Sequence, residues 1–169
     1  MNIFLKILVI ILIIFLNSCS KKDEKISMIQ EKEIRLQMID AYKEGVKALE
    51  EGDVLFAAKK FNESEILFPQ SEWASKSILM AAYSYYTQDY YYDAISELER
   101  FIKKYPKHKR LDYAHFLLAI CYYEQIVDEK KDLEPLLNAK REFEFILNNY
   151  PDTDFALDSK FKLDLIKDV

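Results

Sequence analysis

The chain has 169 residues, half of them apolar, with two glycines and four prolines; that is enough for one core or a short repeat array, but too little turn material for a strand-rich fold. Charged residues make up 31% and the formal net charge is -5, spread in mixed-sign clusters such as Lys21-Lys22-Asp23-Glu24-Lys25. This pattern argues against nucleic acid as a partner, because phosphate binding needs a concentrated positive field.

The N-terminus reads as an address. Lys6 supplies a minimal positive region, and Ile7 to Leu16 is an unbroken apolar run, the length of a signal-peptide core and too short to span a bilayer. The run closes in Leu16-Asn17-Ser18-Cys19, which resembles the lipobox of bacterial lipoproteins. Asn17 departs from the usual residue there, whereas the small Ser18 fits the processing site. The expectation is a signal peptide over 1–18, lipidation of Cys19, and over 19–33 a polar tether or loosely formed helix that holds the domain away from the membrane. Secretion without a lipid is the plainer alternative. Cys121 is then alone, in an apolar helical stretch where a buried cysteine acts as a small hydrophobe.

Beyond residue 34, self-similarity organises the chain. Gly45, Ala82 and Ala119 are spaced by 37 and 37 residues, and Ala57, Ala94 and Ala139 by 37 and 45. Phe61, Leu98 and Phe143 follow the second spacing, as do Pro69, Pro106 and Pro151. A small residue lets two helices approach, a large one fills the groove between them, and a proline ends the second helix. That is the tetratricopeptide layout. The fold class expected is all-α, a tetratricopeptide-repeat solenoid of about three helix pairs plus one extra helix, behind an N-terminal signal segment. The repeats lie near 38–70, 72–107 and 111–152, with a half repeat over 155–169.

In chain order the predicted helices are Met38 to Glu51 with Val54 to Leu67, Glu72 to Gln88 with Tyr91 to Lys104, and Leu111 to Val127 with Leu136 to Asn149. A last helix runs from Phe155. The third unit is longer because of a charged, proline-containing loop over Asp128 to Pro135. In the last helix Leu157, Phe161 and Leu165 recur at i, i+4 and i+8, which leaves one apolar side bare when no second helix covers it.

No dinucleotide, phosphate-loop, zincin or C-x-x-C motif occurs. No cofactor and no metal site is expected: His115 is read as a satisfied packing residue and His108, beside Lys107, Lys109 and Arg110, as a surface one. The unusual feature is twelve tyrosines, crowded into Tyr83 to Tyr92. In the repeat frame the concave face takes Tyr42, Val46, Leu79, Tyr83, Tyr86, Phe116 and Tyr123, while Tyr85 and Tyr122 take core positions. Tyrosine combines large contact area with a polar tip and low entropy cost, so this groove set is the candidate protein-binding surface. Packing alone is the alternative reading.

A resemblance to a known family rests on Cys19 behind its signal run and on Ala94-Ile95, Glu99-Arg100-Phe101-Ile102, Tyr105-Pro106-Lys107-His108 and Asp112-Tyr113-Ala114. It continues through Tyr122-Tyr123-Glu124-Gln125-Ile126-Val127-Asp128 to Tyr150-Pro151-Asp152-Thr153. With these segments the mature chain resembles the BamD-type outer-membrane assembly lipoproteins. The resemblance implies a lipid anchor in the outer membrane on the periplasmic side. It also implies docking to the barrel-forming assembly subunit and other assembly lipoproteins, and contact with unfolded outer-membrane protein substrates. Family members usually carry more repeats, so the chain is expected to be a fragment or a truncated gene product. Two other functions compete: a different envelope scaffold, for example in cell-wall synthesis or division, and a lipid-anchored enzyme built on His108 or His115 with nearby carboxylates.

Overall fold

The computed structural model describes residues 22–126 and 133–167. The signal segment, Cys19 and most of the Asp128 to Pro135 loop lie outside these described residues. Among the described residues seven helices follow one another: α1 (Lys22–Glu50), α2 (Val54–Leu67), α3 (Glu72–Tyr86), α4 (Tyr91–Lys104), α5 (Leu111–Tyr123), α6 (Glu134–Asn149) and α7 (Asp154–Lys167). The chain divides into two units, 1–36 and 37–169, and α1 runs through both.

In the first unit Lys22 to Glu33 is helical, one of the two forms expected of this polar segment. The segment Lys22 to Glu33 has no apolar periodicity, but it contains no glycine or proline and is rich in Lys, Glu and Gln, which favour helix by intrinsic propensity alone. A pair four residues apart, Arg35 to Glu31 at 3.1 Å, adds support on this exposed stretch. Among the residues whose side chains are described, the first buried one is Met38.

The second unit is the repeat. Helices α2, α4 and α6 each end two residues before Pro69, Pro106 and Pro151, and the intervening cap residues Phe68, Tyr105 and Tyr150 share a non-helical backbone. The proline ring excludes the helical region for the residue before it, so the same stop recurs at each repeat. Three of the starts, those of α2, α3 and α7, are set by short polar side chains. Asp53 accepts from the Phe56 N–H, Ser71 from the Ala74 N–H and Thr153 from the Ala156 N–H. Helix α6 begins at Glu134, two residues earlier than expected, because Pro135 suits the first turn of a helix. The tight turns of the first two pairs pass through left-handed residues, Gly52 and Asp89, which stand one repeat period apart.

Three buried clusters fill the spaces between successive helices. Tyr42, Ala48, Ala57, Ala58, Phe61 and Ala81 form the first; Ile78, Ala82, Ala94, Leu98 and Phe101 anchor the second; Ala119, Ala139, Phe143 and Ile146 anchor the third. Each small residue of the repeat pattern lies with its large partner. A polar bridge ties α2 to α4: the buried Glu65 accepts from Arg100 Nη1 at 2.8 Å and from Lys104, while Arg100 also donates to Glu97 and Asn62. On α7, Ala156, Ser159, Leu163 and Ile166 face inward, whereas Leu157 (71% exposed), Phe161 (64%) and Leu165 (40%) form the expected bare stripe.

Candidate functional site

Helix α3 carries Trp73, Lys76, Met80 and Tyr83 at helical spacing, with Leu79 between them, so these side chains share one wall. The opposite wall is the turn between α4 and α5, bearing His108, Lys109 and Arg110, and the first turn of α5, bearing Tyr113. Together with Glu72 and Ser75 they enclose an open cleft of about 930 Å³. Its floor is aromatic and aliphatic; its charged lining is three cations, Lys76, Lys109 and Arg110, against one carboxylate, Glu72. Such a surface accepts an apolar or aromatic chain that also carries negative charge.

Tyr42 backs this wall. Its ring stands edge-on to Trp73 at 4.9 Å and to Phe61 at 5.2 Å, and the Lys76 ammonium lies 5.0 Å from the Trp73 ring centre and 5.1 Å from that of Tyr42. Burial pushes the Tyr113 hydroxyl up to about 12, so it stays a neutral hydrogen-bonding group at the cleft's edge.

His108 is half-buried rather than a surface residue. Its ring stands edge-on to Phe101 at 5.1 Å, which explains its position: the turn after Pro106 folds back on the α4 core. Its Nε2 lies 3.2 Å from Ser75 Oγ, and its Nδ1 accepts the Arg110 backbone N–H at 3.2 Å. Burial, together with the charges of Lys109 and Arg110, holds its pKa below the ordinary 6.5. His115 is elsewhere. Its Nδ1 is 2.7 Å from Glu142 Oε2 between α5 and α6, and its ring stacks 4.1 Å from Phe145. The two histidines therefore share no site, and among the described residues no three His, Cys, Asp or Glu side chains gather as a metal site. Burial pushes the Cys121 thiol up to about 12, which leaves it unreactive.

The seven groove residues divide. Leu79 and Tyr83 line the cleft, with Tyr83 39% exposed, while Tyr42 at 7% supports it from behind. Val46 is half-buried against the first cluster. Tyr86, Phe116 and Tyr123 gather at the other end. Tyr86 packs on Tyr91 at 6.2 Å, Phe116 on Phe155 at 5.0 Å, and Tyr123 lies beneath the Lys162 ammonium at 4.0 Å. Pattern reading missed Trp73, Lys76, Met80 and the basic turn. The stripe 73, 76, 80, 83 and the run Lys107-His108-Lys109-Arg110 were available as signals, but only folding brings them face to face.

A family model described as YfiO, outer membrane lipoprotein, matches residues 35–169. The chain belongs to the YfiO family. Among similar YfiO relatives, the outer membrane protein assembly factor BamD of Caulobacter vibrioides is 35% identical over 89% of this chain and 48% of its own length. BamD of Rickettsia prowazekii is 32% identical over 75% of this chain and 51% of its own. BamD of Neisseria gonorrhoeae is 26% identical over 72% and 49%. The chain thus spans about half the length of the curated YfiO relatives it matches. Among the described residues, no helix of this YfiO member is long and apolar enough to cross a membrane.

Proposed function

We propose that this YfiO chain serves outer-membrane protein assembly by holding unfolded segments of barrel precursors in the cleft between α3 and the α4–α5 turn. The supporting observation is the cleft itself: an aromatic and aliphatic floor of Trp73, Leu79, Met80, Tyr83 and Tyr113 under a rim of three cations. A barrel strand alternates apolar and polar residues, so when extended it lays side chains on an apolar floor and leaves polar groups for the rim. The cations add preference for a carboxylate. Tyr42 and Val46 support the floor, whereas Tyr86, Phe116 and Tyr123 lie outside the cleft and pack against the third buried cluster. A lipid on Cys19 places the chain on the periplasmic side of the outer membrane, beside the barrel-forming assembly subunit and other assembly lipoproteins. Repeat proteins bind through such surfaces and need no cofactor.

The test is fluorescence anisotropy with a rhodamine-labelled peptide of alternating aromatic and polar residues, compared as free carboxylate and as C-terminal amide. The carboxylate form should bind about tenfold tighter, one charge-assisted contact's worth. Lys76→Gln and Arg110→Gln should erase that preference. Equal binding of both forms, unaffected by these substitutions, rules the cleft out.

A further inference from the structure

His108 joins the two walls of the cleft, and its hydrogen bonds fix its protonation state. The Ser75 hydroxyl has one proton and donates it to the Glu72 carbonyl at 3.1 Å. Towards His108 Nε2 at 3.2 Å, Ser75 Oγ therefore accepts, so the imidazole proton sits on Nε2. Nδ1 is then a bare lone pair, and this is what the Arg110 backbone N–H meets at 3.2 Å. The chain of donors runs in one sense, Arg110 N–H to Nδ1, Nε2–H to Ser75, Ser75 O–H to Glu72. It ties the turn that carries Lys109 and Arg110 to the helix that carries Trp73, Lys76 and Tyr83. The His108 N–H to the Tyr105 carbonyl at 3.0 Å and the Leu111 N–H to the His108 carbonyl at 3.2 Å close the turn around it.

We propose that neutral His108 is the positioning residue of the cleft: it holds the Lys109–Arg110 turn against α3, and protonation of its Nδ1 frees that turn and loosens the grip on ligand. A second proton on the ring puts a donor where the Arg110 N–H already donates, so this contact must break. The nearest charges, Lys109 and Arg110, work in the same direction. Lys107, Lys109 and Arg110 of its own turn and Lys76 of α3 are cationic, the ring of Tyr105, the residue that caps α4, stands 6.3 Å away, and Glu72 of α3, the one carboxylate of the cleft lining, opposes them. Burial against Phe101 adds to the cost of charging the ring. The neutral state is thus favoured by folding, and the clasp is intact above the ordinary histidine pKa and lost as pH falls through the lowered one. An imidazolium also adds attraction for an anionic ligand. The broken backbone contact moves two of the three cations, and this displacement outweighs one added charge.

The proposal rests on the cleft reading above, and two measurements separate their fates. Long-range proton–nitrogen spectra of the imidazole in the full chain, without ligand, should show the Nε2–H form at pH 7.5. The Lys109 and Arg110 amide resonances should shift with the same midpoint as the ring, below pH 6.5. The Nδ1–H form, or amides that ignore the titration, overturns the positioning role whatever the cleft binds. Affinity for the labelled carboxylate peptide should fall at least about tenfold between pH 7.5 and 5.0, approaching tenfold per pH unit below the pKa of a single titrating group. His108→Gln offers an acceptor and a donor that do not titrate; whatever its affinity at pH 7.5, its profile should be flat to pH 5.0. A parent that binds tighter in acid, or a variant that keeps the parent's fall, overturns the proposal. A parent with no affinity at any pH counts against the cleft reading, while the spectra still decide the fate of His108.

Discussion

Gly45 of α1 and Phe61 of α2 touch so closely that a methyl group on the glycine would stand 2.9 Å from the phenyl ring. This contact seats the first helix pair, and Ala82 with Leu98 and Ala119 with Phe143 repeat it in the next two pairs. Gly45→Val should destabilise the protein by about 1–3 kcal/mol through overpacking. Gly45→Ala should come near neutral, because about 1 kcal/mol of helix propensity offsets the overlap. Urea denaturation of both, alone and with Phe61→Leu, checks the assignment: the smaller side chain should relieve most of the valine penalty. Additive effects would show that the two residues do not couple.

Glu65 is 4% exposed and answers to two cations on α4. Burial pushes its carboxyl up, but hydrogen bonds from Lys104 and Arg100 outweigh burial and leave its pKa below the ordinary 4.5. A lowered carboxyl pKa means that its stabilisation is complete above pH 4.5 and is lost as pH falls through the folded value. Glu65→Gln should lower stability at pH 7 by about 1–3 kcal/mol. The loss should shrink towards pH 3, because the parent then approaches the same neutral state. Denaturation midpoints across pH 3 to 7 would show the two curves converging; parallel curves refute the pairing.

Tyr83 and Tyr86 belong to different jobs despite their proximity in sequence. Tyr83→Ala should weaken peptide binding by about 1–2 kcal/mol, the range of a moderate interface contact, and leave the melting temperature nearly unchanged. Tyr86→Ala should lower the melting temperature, because its ring lies between two buried clusters. Tyr122→Ala should cost about 2 kcal/mol, below the value for a fully buried aromatic because the ring is only half-buried, and part of that cost is the lost hydroxyl bond to Glu99 at 3.0 Å. Anisotropy and calorimetry on the three variants would expose a wrong assignment if Tyr83→Ala proved the least stable.

The stripe of Leu157, Phe161 and Leu165 on α7 predicts concentration-dependent association of the 169-residue polypeptide. Replacing all three with glutamine should abolish that association, with helix content unchanged. Sedimentation velocity over a range of loading concentrations reports the difference. A parent that stays monomeric throughout would mean that the stripe is not adhesive.

Lipidation of Cys19 is tested by mass spectrometry of the mature N-terminus, which should begin at Cys19 and carry acyl chains; Cys19→Ala should release the protein from membranes. Two or more chains are expected, since one alone binds a bilayer only marginally.

The repeat was legible in the sequence because its causes are local and periodic. Small residues 37 apart and the prolines that stop α2, α4 and α6 recur at fixed spacings that the chain itself displays. The pairing of Gly45 with Phe61 followed from the same register, as did the bare stripe of α7. The segment Lys22 to Glu33 read as either tether or loose helix, since pattern reading looks for a buried face and this segment is helical by propensity without a periodic one. Tertiary structure alone decided the site. It turned Tyr42 inward against Phe61, separated Tyr86, Phe116 and Tyr123 from Tyr83, and folded the turn after Pro106 back onto Phe101. Only this last step brings His108 to Ser75, thirty-three residues away, and sets Lys109 and Arg110 opposite Trp73. Those contacts depend on how one repeat stacks on the next, and no spacing within a single repeat encodes that geometry.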